Sequence, residues 1–189
     1  NKSRHLTQLS SDQQIGSVKV VDILNILPAL HSSIGSLQWS LFEQSSSLLS
    51  HGDTHFHNFI ANSDESSTWK INGMIDTDEA LGGDPEIDIT FIENWLHFAS
   101  YGQRFYQHKE DFFNGYKGVR EISDHYSSRR LIYHALRSIS YLQAVSALDQ
   151  NNFMNMDSRN LNYVSKHFGI LKSLAMGNAL EDLKISSLV

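Results

Sequence analysis

Cysteine is absent from the 189 residues, which excludes disulfides and thiolate metal sites. Proline occurs only twice, as Pro28 and Pro85, and no unit of roughly 20–50 residues repeats, so neither a flexible linker nor a solenoid is expected. Charged residues make up 19%, with 15 Lys and Arg against 21 Asp and Glu, for a net charge of −6. The basic residues are scattered, which argues against a nucleic-acid footprint and suits a cationic small-molecule partner. No apolar run approaches the roughly 20 residues that cross a bilayer, and Asn1-Lys2-Ser3-Arg4 leads into no signal-peptide core. The expectation is a cytoplasmic protein with no membrane partner. Glycine-rich phosphate cradles are missing as well, since neither G-x-G-x-x-G nor G-x-x-x-x-G-K-[ST] occurs.

What is present is a globular composition, 40% apolar, in a length that fits one domain spanning residues 1–189. Val18, Val21, Leu24, Leu27 and Leu30 recur at helical spacing, and Leu37, Leu41, Leu48 and Leu49 predict a second helix running up to residue 51. Phe59-Ile60-Ala61 and Trp69 to Ile75 read as strands joined by the polar turn Asn62 to Thr68, a small β-hairpin. Asp84-Pro85 starts a helix to about Ser100, Asp as cap and Pro in the first turn. Further helices are expected around Phe105 to Tyr116, Tyr126 to Leu148 and Leu161 to Leu174. The fold class is therefore α+β, mainly helical, with one hairpin.

The most informative stretch is His51-Gly52-Asp53-Thr54-His55-Phe56-His57-Asn58, followed by Ile75-Asp76, then Gly83-Asp84-Pro85 and Asp88. A hairpin returns the chain to the level where it began, so Asp53 and Asn58 at its entry and Asp76 at its exit converge at one end. One carboxylate to take a hydroxyl proton, with an amide oxygen and a second carboxylate for a hard cation, is the polar set of a phosphoryl-transfer site.

In this combination the sequence resembles the aminoglycoside phosphotransferase family of the protein-kinase-like superfamily, with its His-Gly-Asp-x-His-x-x-Asn loop, Ile-Asp strand end and Gly-Asp-Pro-x-x-Asp helix start. The motif-bearing likeness covers about His51 to Asp88. It implies a kinase-like C-terminal lobe in which Asp53 is the catalytic base, Asn58 and Asp76 are magnesium ligands, Asp88 is a buried carboxylate bracing the catalytic loop, and His51 and His55 shape that loop. The implied cofactors are Mg²⁺ and ATP, with GTP as an option. The implied reaction is transfer of the γ-phosphoryl group to a hydroxyl of a small amine-bearing molecule, an aminoglycoside-type antibiotic first and a choline, homoserine or fructosamine type of alcohol second. Relatives carry a smaller N-terminal nucleotide lobe, for which too few residues precede His51. The chain is thus expected to be the larger lobe of a longer protein and inactive by itself. Two positions depart from the family pattern: His57 stands where Gly is frequent, and Thr77-Asp78 follow Asp76 where an aromatic residue is common.

Two other function classes remain open on the sequence. The alternation of His51, Asp53, His55 and His57 suits a transition metal in a hydrolase, and a kinase-like lobe can serve as a non-catalytic binding module. Elsewhere, Asp84 is expected to cap a helix rather than to act catalytically. Trp95, Phe98, Tyr101, Phe105, Phe112 and Phe113 are expected in the core, and Glu79, Glu86, Glu93, Glu181 and Asp182 as solvated side chains.

Overall fold

The computed structural model describes residues 13–35, 42, 47–99, 103–147 and 158–177. Its elements run β1 (Gln14–Ile15), β2 (Val18–Lys19), α1 (Val20–Gly35), β3 (Leu48–Ser50), a 3₁₀ turn (Phe56–Asn58), β4 (Phe59–Ser63), β5 (Trp69–Met74), β6 (Leu81–Gly83), α2 (Glu86–Ala99), α3 (Gln103–Lys117), α4 (Tyr126–Ser146) and α5 (Ser158–Ala175). The class is α+β, predominantly helical, with small antiparallel sheets of two strands each. Among the described residues no helix is long and apolar enough to cross a membrane. The chain divides into two compact units, residues 1–38 with 131–189 and residues 39–130.

In the first unit the tight β1–β2 hairpin, with Gly16 at φ 61° in its turn, hands the chain directly to α1. Val18 therefore lies in a strand, and the helix begins at Val20. Helix α1 packs against α5. Val20, Ile23 and Leu30 from one, and Val164, Ile170, Leu171 and Leu174 from the other, are buried, the apolar stripe that helical periodicity demands. Ser17 and Ser165 share a hydroxyl hydrogen bond of 2.7 Å, and the His167 ring stacks on Tyr141 with centroids 4.3 Å apart.

The second unit holds the motif. The expected helix through Leu48 and Leu49 is instead strand β3, which pairs with β6 in the register Leu48↔Gly83, Leu49↔Gly82 and Ser50↔Leu81. Two adjacent leucines fit either period, and the partner strand lies more than thirty residues away. Leu37 and Leu41 lie outside the described residues. The expected hairpin is present as β4–β5, from Phe59↔Met74 to Ser63↔Trp69, with a bulge at Ile60/Ala61. Its turn is closed by the Asp64 carboxylate, which accepts from the Ser66 and Thr68 N–H groups at 3.0 Å each. Helix α2 is covered nearly all round, with Ile89, Ile92, Leu96 and Phe98 buried, and it contacts α3.

Polar residues line one stripe of α2. Glu86, Thr90, Glu93, Asn94 and His97 are all buried, at spacings that share a helical face. Glu86 and Glu93, expected as solvated, are ion-paired instead: Glu86 with Arg129, and Glu93 with Arg130 and with Lys109 at 2.6 Å. Burying these carboxylates is tolerable because each meets a cation, and those cations come from α3 and α4, far along the sequence. Glu79 is exposed, while Glu181, Asp182 and Tyr101 fall outside the described residues, as does the Phe105 side chain.

Candidate functional site

Asp84 is the cap of α2. Its Oδ1 accepts the Glu86 N–H at 3.0 Å, Pro85 follows where no donor is needed, and its Oδ2 pairs with Arg129 Nε at 2.7 Å. Arg129, 1% exposed, also binds the Glu86 carboxylate and the Ser123 hydroxyl, the latter at 2.5 Å. Ser123 donates its N–H and hydroxyl to Glu86 at 2.7 and 2.9 Å. One guanidinium thus fixes the first turn of α2, the turn that presents Asp88.

Asp88 gathers the loop. Its carboxylate accepts the His51 N–H at 2.8 Å, the Gly52 N–H at 3.0 Å and the Thr54 hydroxyl at 2.7 Å. Two turns further along the same helix, Trp95 takes the Phe56 ring at 4.3 Å between centroids, and the His57 ring at 6.0 Å. The loop is therefore fastened to α2 at both ends, by charge-assisted hydrogen bonds at one and aromatic contact at the other. Thr54 and Trp95 were not singled out as anchors from the sequence. A hydroxyl next to the motif Asp was the available signal for Thr54, and none existed for Trp95.

Four hydrogen bonds then close a ring through two of the three positions named from the sequence, Asp53 and Asn58, and through Ile75 next to the third. The Asp53 carbonyl accepts from Asn58 Nδ2 at 3.0 Å. The Asn58 carbonyl accepts the Ile75 N–H at 3.0 Å. The Ile75 carbonyl takes His51 Nε2 at 2.9 Å, and the Asp53 N–H points at His51 Nδ1 at 3.4 Å. His51 must carry its proton on Nε2 to serve both partners. Asp53, Asn58 and the residue preceding Asp76 are thereby linked, and His51 sits inside the loop as a spacer.

Gly52 allows the close approach. At φ 83° it occupies a backbone region that side chains avoid, and a Cβ there would stand 2.1 Å from the Glu79 carbonyl oxygen. Asp76 is itself left-handed at φ 62°, a conformation that Asp tolerates better than most residues and that concentrates at functional sites. Its side chain is exposed. Asn58 is 5% exposed. With its amide nitrogen bound to Asp53, its oxygen is the group left for a ligand. The Asp53 carboxylate lies 3.4 Å from His55 Nε2, and His55 Nδ1 is buried without a partner. His57 is exposed.

An amide oxygen and an exposed carboxylate are hard donors, the set a magnesium ion takes when water and phosphate complete its shell. Among the described residues, no group of three or more His, Cys, Asp or Glu side chains is gathered as a metal cluster. No family model, no curated protein and no solved structure matches the chain.

Proposed function

We propose that the chain is the larger lobe of a small-molecule kinase, which transfers the γ-phosphoryl group of ATP to a hydroxyl of a small amine-bearing acceptor. The observation that carries this reading is the hydrogen-bonded ring through Asp53, Asn58, Ile75 and His51. The ring supports the reading because it ties the backbone of Asp53 to Asn58 and to the residue before Asp76, the three positions the chemistry calls on.

In this reading the Asp53 carboxylate orients the acceptor hydroxyl and receives its proton. Asn58 Oδ1 and the Asp76 carboxylate hold magnesium, which supplies charge neutralisation on the phosphates. Asp88 and Arg129 act through the loop by fixing where Asp53 stands. Ile75, 48% exposed beside Asp76, offers a base or sugar an apolar surface. The formal charge of −6 favours a cationic acceptor, with aminoglycosides first and choline-like or sugar amines second.

The test is phosphoryl transfer by the full-length polypeptide to a panel of aminoglycosides, choline and sugar amines. Asp53→Ala should lower kcat by about 10²–10⁴-fold, the range of general-base catalysis, while leaving Tm unchanged. Asp76→Ala should raise the magnesium concentration needed. Absence of transfer to every acceptor, or equal rates for the parent and Asp53→Ala, would remove the reading.

A further inference from the structure

We propose that the cavity behind the loop is a binding site for a neutral, largely apolar small molecule carrying one hydroxyl group. The cavity has a volume of about 580 Å³, within the range of small-molecule pockets and on the order of twenty water volumes. Leu49 and Met74 in its lining are exposed, so the cavity opens to solvent and a ligand can enter it. Carbon atoms of Leu49, Phe59, Met74, Ile89, Ile92 and Phe112 make most of its lining. None of Asp53, Asn58 and Asp76 is among the described residues that line it, so the cavity is distinct from the candidate phosphoryl-transfer site.

The chemistry of the occupant follows from the walls. An ion would lose its hydration against hydrocarbon, which selects a neutral molecule. Ser50, His51, Thr54, Thr77, Asp88 and Tyr116 interrupt the lining, and the last two can together orient a ligand hydroxyl. The Tyr116 hydroxyl makes no hydrogen bond among the described residues, and burial raises its pKa above the ordinary 10.0, so it remains a donor at neutral pH. The Asp88 carboxylate accepts three hydrogen bonds from the loop and has capacity for a fourth. A ligand hydroxyl can accept from Tyr116 and donate to Asp88, whereas a carbonyl or an alkyl group cannot do both. Through Asp88 and His51, both of which line the cavity, such a ligand touches the back of the loop that carries Asp53. The inference rests on the cavity alone and stands whether or not Asp53 is a base.

The 189-residue chain is titrated with 2-naphthol and, separately, with naphthalene, following probe fluorescence and the methyl signals of Met74, Ile89 and Ile92. Saturable 1:1 binding of 2-naphthol with shifts at these methyls is expected. Met74→Trp and Ala80→Leu, which fill the cavity from positions that are not in the buried core, should each weaken binding at least about tenfold. Tyr116→Phe should weaken 2-naphthol about fivefold, the loss of one neutral hydrogen bond, and leave naphthalene unchanged. Lack of saturable binding, or affinity untouched by both filling variants, would overturn the site. An equal loss for both probes in Tyr116→Phe would overturn the requirement for a hydroxyl. None of these readings involves phosphoryl transfer, so failure here is distinguishable from failure of the kinase assignment.

Discussion

The two compact units are held by different forces. Residues 131–177 and 13–35 pack aliphatic stripes, with Val20, Ile23, Val164, Ile170 and Leu171 all buried and few charges among them. Residues 47–130 hold a set of ions, Asp84, Glu86 and Glu93 against Arg129, Arg130 and Lys109, three negative and three positive, with all but the half-exposed Lys109 largely out of water. Apolar packing of similar volume would serve stability as well or better, because desolvating paired ions costs about what their attraction returns. A buried ion network restricts geometry more than hydrocarbon does, since guanidinium and carboxylate bind only in certain orientations. Here the network fixes the α2 turn from which Asp88 reaches the loop. The unit that carries the motif gives up easy stability for position, and the other does not.

The sharpest way to break that contrast is Arg129→Ala, which strands the Asp84 and Glu86 carboxylates. Urea denaturation should show a loss of about 3–5 kcal/mol, with Arg129→Lys recovering only part because it lacks the fork. In the other unit, Leu171→Ala removes hydrocarbon alone and should cost about 2–4 kcal/mol. It should leave amide exchange at His51 and Gly52 as in the parent under native conditions, whereas Arg129→Ala should accelerate it. Equal exchange in both variants would erase the distinction. Gly52→Ala should cost about 2 kcal/mol through its positive φ and the clash with Glu79, detectable as a lowered Tm.

The smallest effect concerns the hairpin turn. The Asp64 carboxyl titrates below its ordinary 3.8, held down first by the Ser66 hydroxyl and then by the Thr68 N–H. A depressed folded pKa contributes order that is fully present above the unfolded value and is lost as pH falls through the folded value. The Ser66 and Thr68 amide signals should therefore titrate with a midpoint below 3.8. A titration at or above 3.8 would show that the turn does not use this carboxylate.

Local signals were legible in the sequence and distant pairings were not. The β4–β5 hairpin, the Asp84-Pro85 start of α2 and the helical stretches within 103–117, 126–146 and 158–175 follow from periodicity and cap chemistry. Strands β3 and β6 did not show, because three-residue strands carry no period and their pairing joins Leu48 to Gly83. Glu86 and Glu93 looked solvated for the same reason. A carboxylate on a helix is read as exposed until its cation is known, and Arg129 and Arg130 lie some forty residues downstream. Within the site, the spacing of Asp53, Asn58 and Asp76 was visible. The spacing gave no hint that Gly52 packs on Glu79, that Asp76 adopts a left-handed backbone or that Trp95 anchors Phe56, since each depends on where a second segment comes to rest.

The most direct measurement is paramagnetic broadening of ¹⁵N-labelled protein by manganese, standing in for magnesium, in the presence of ATP. The amide signals of Asn58 and Asp76, with Asp53 beside them, should broaden first, and Asp76→Ala should abolish the effect. Sharp signals at these three positions, while manganese broadens residues elsewhere, would contradict the account.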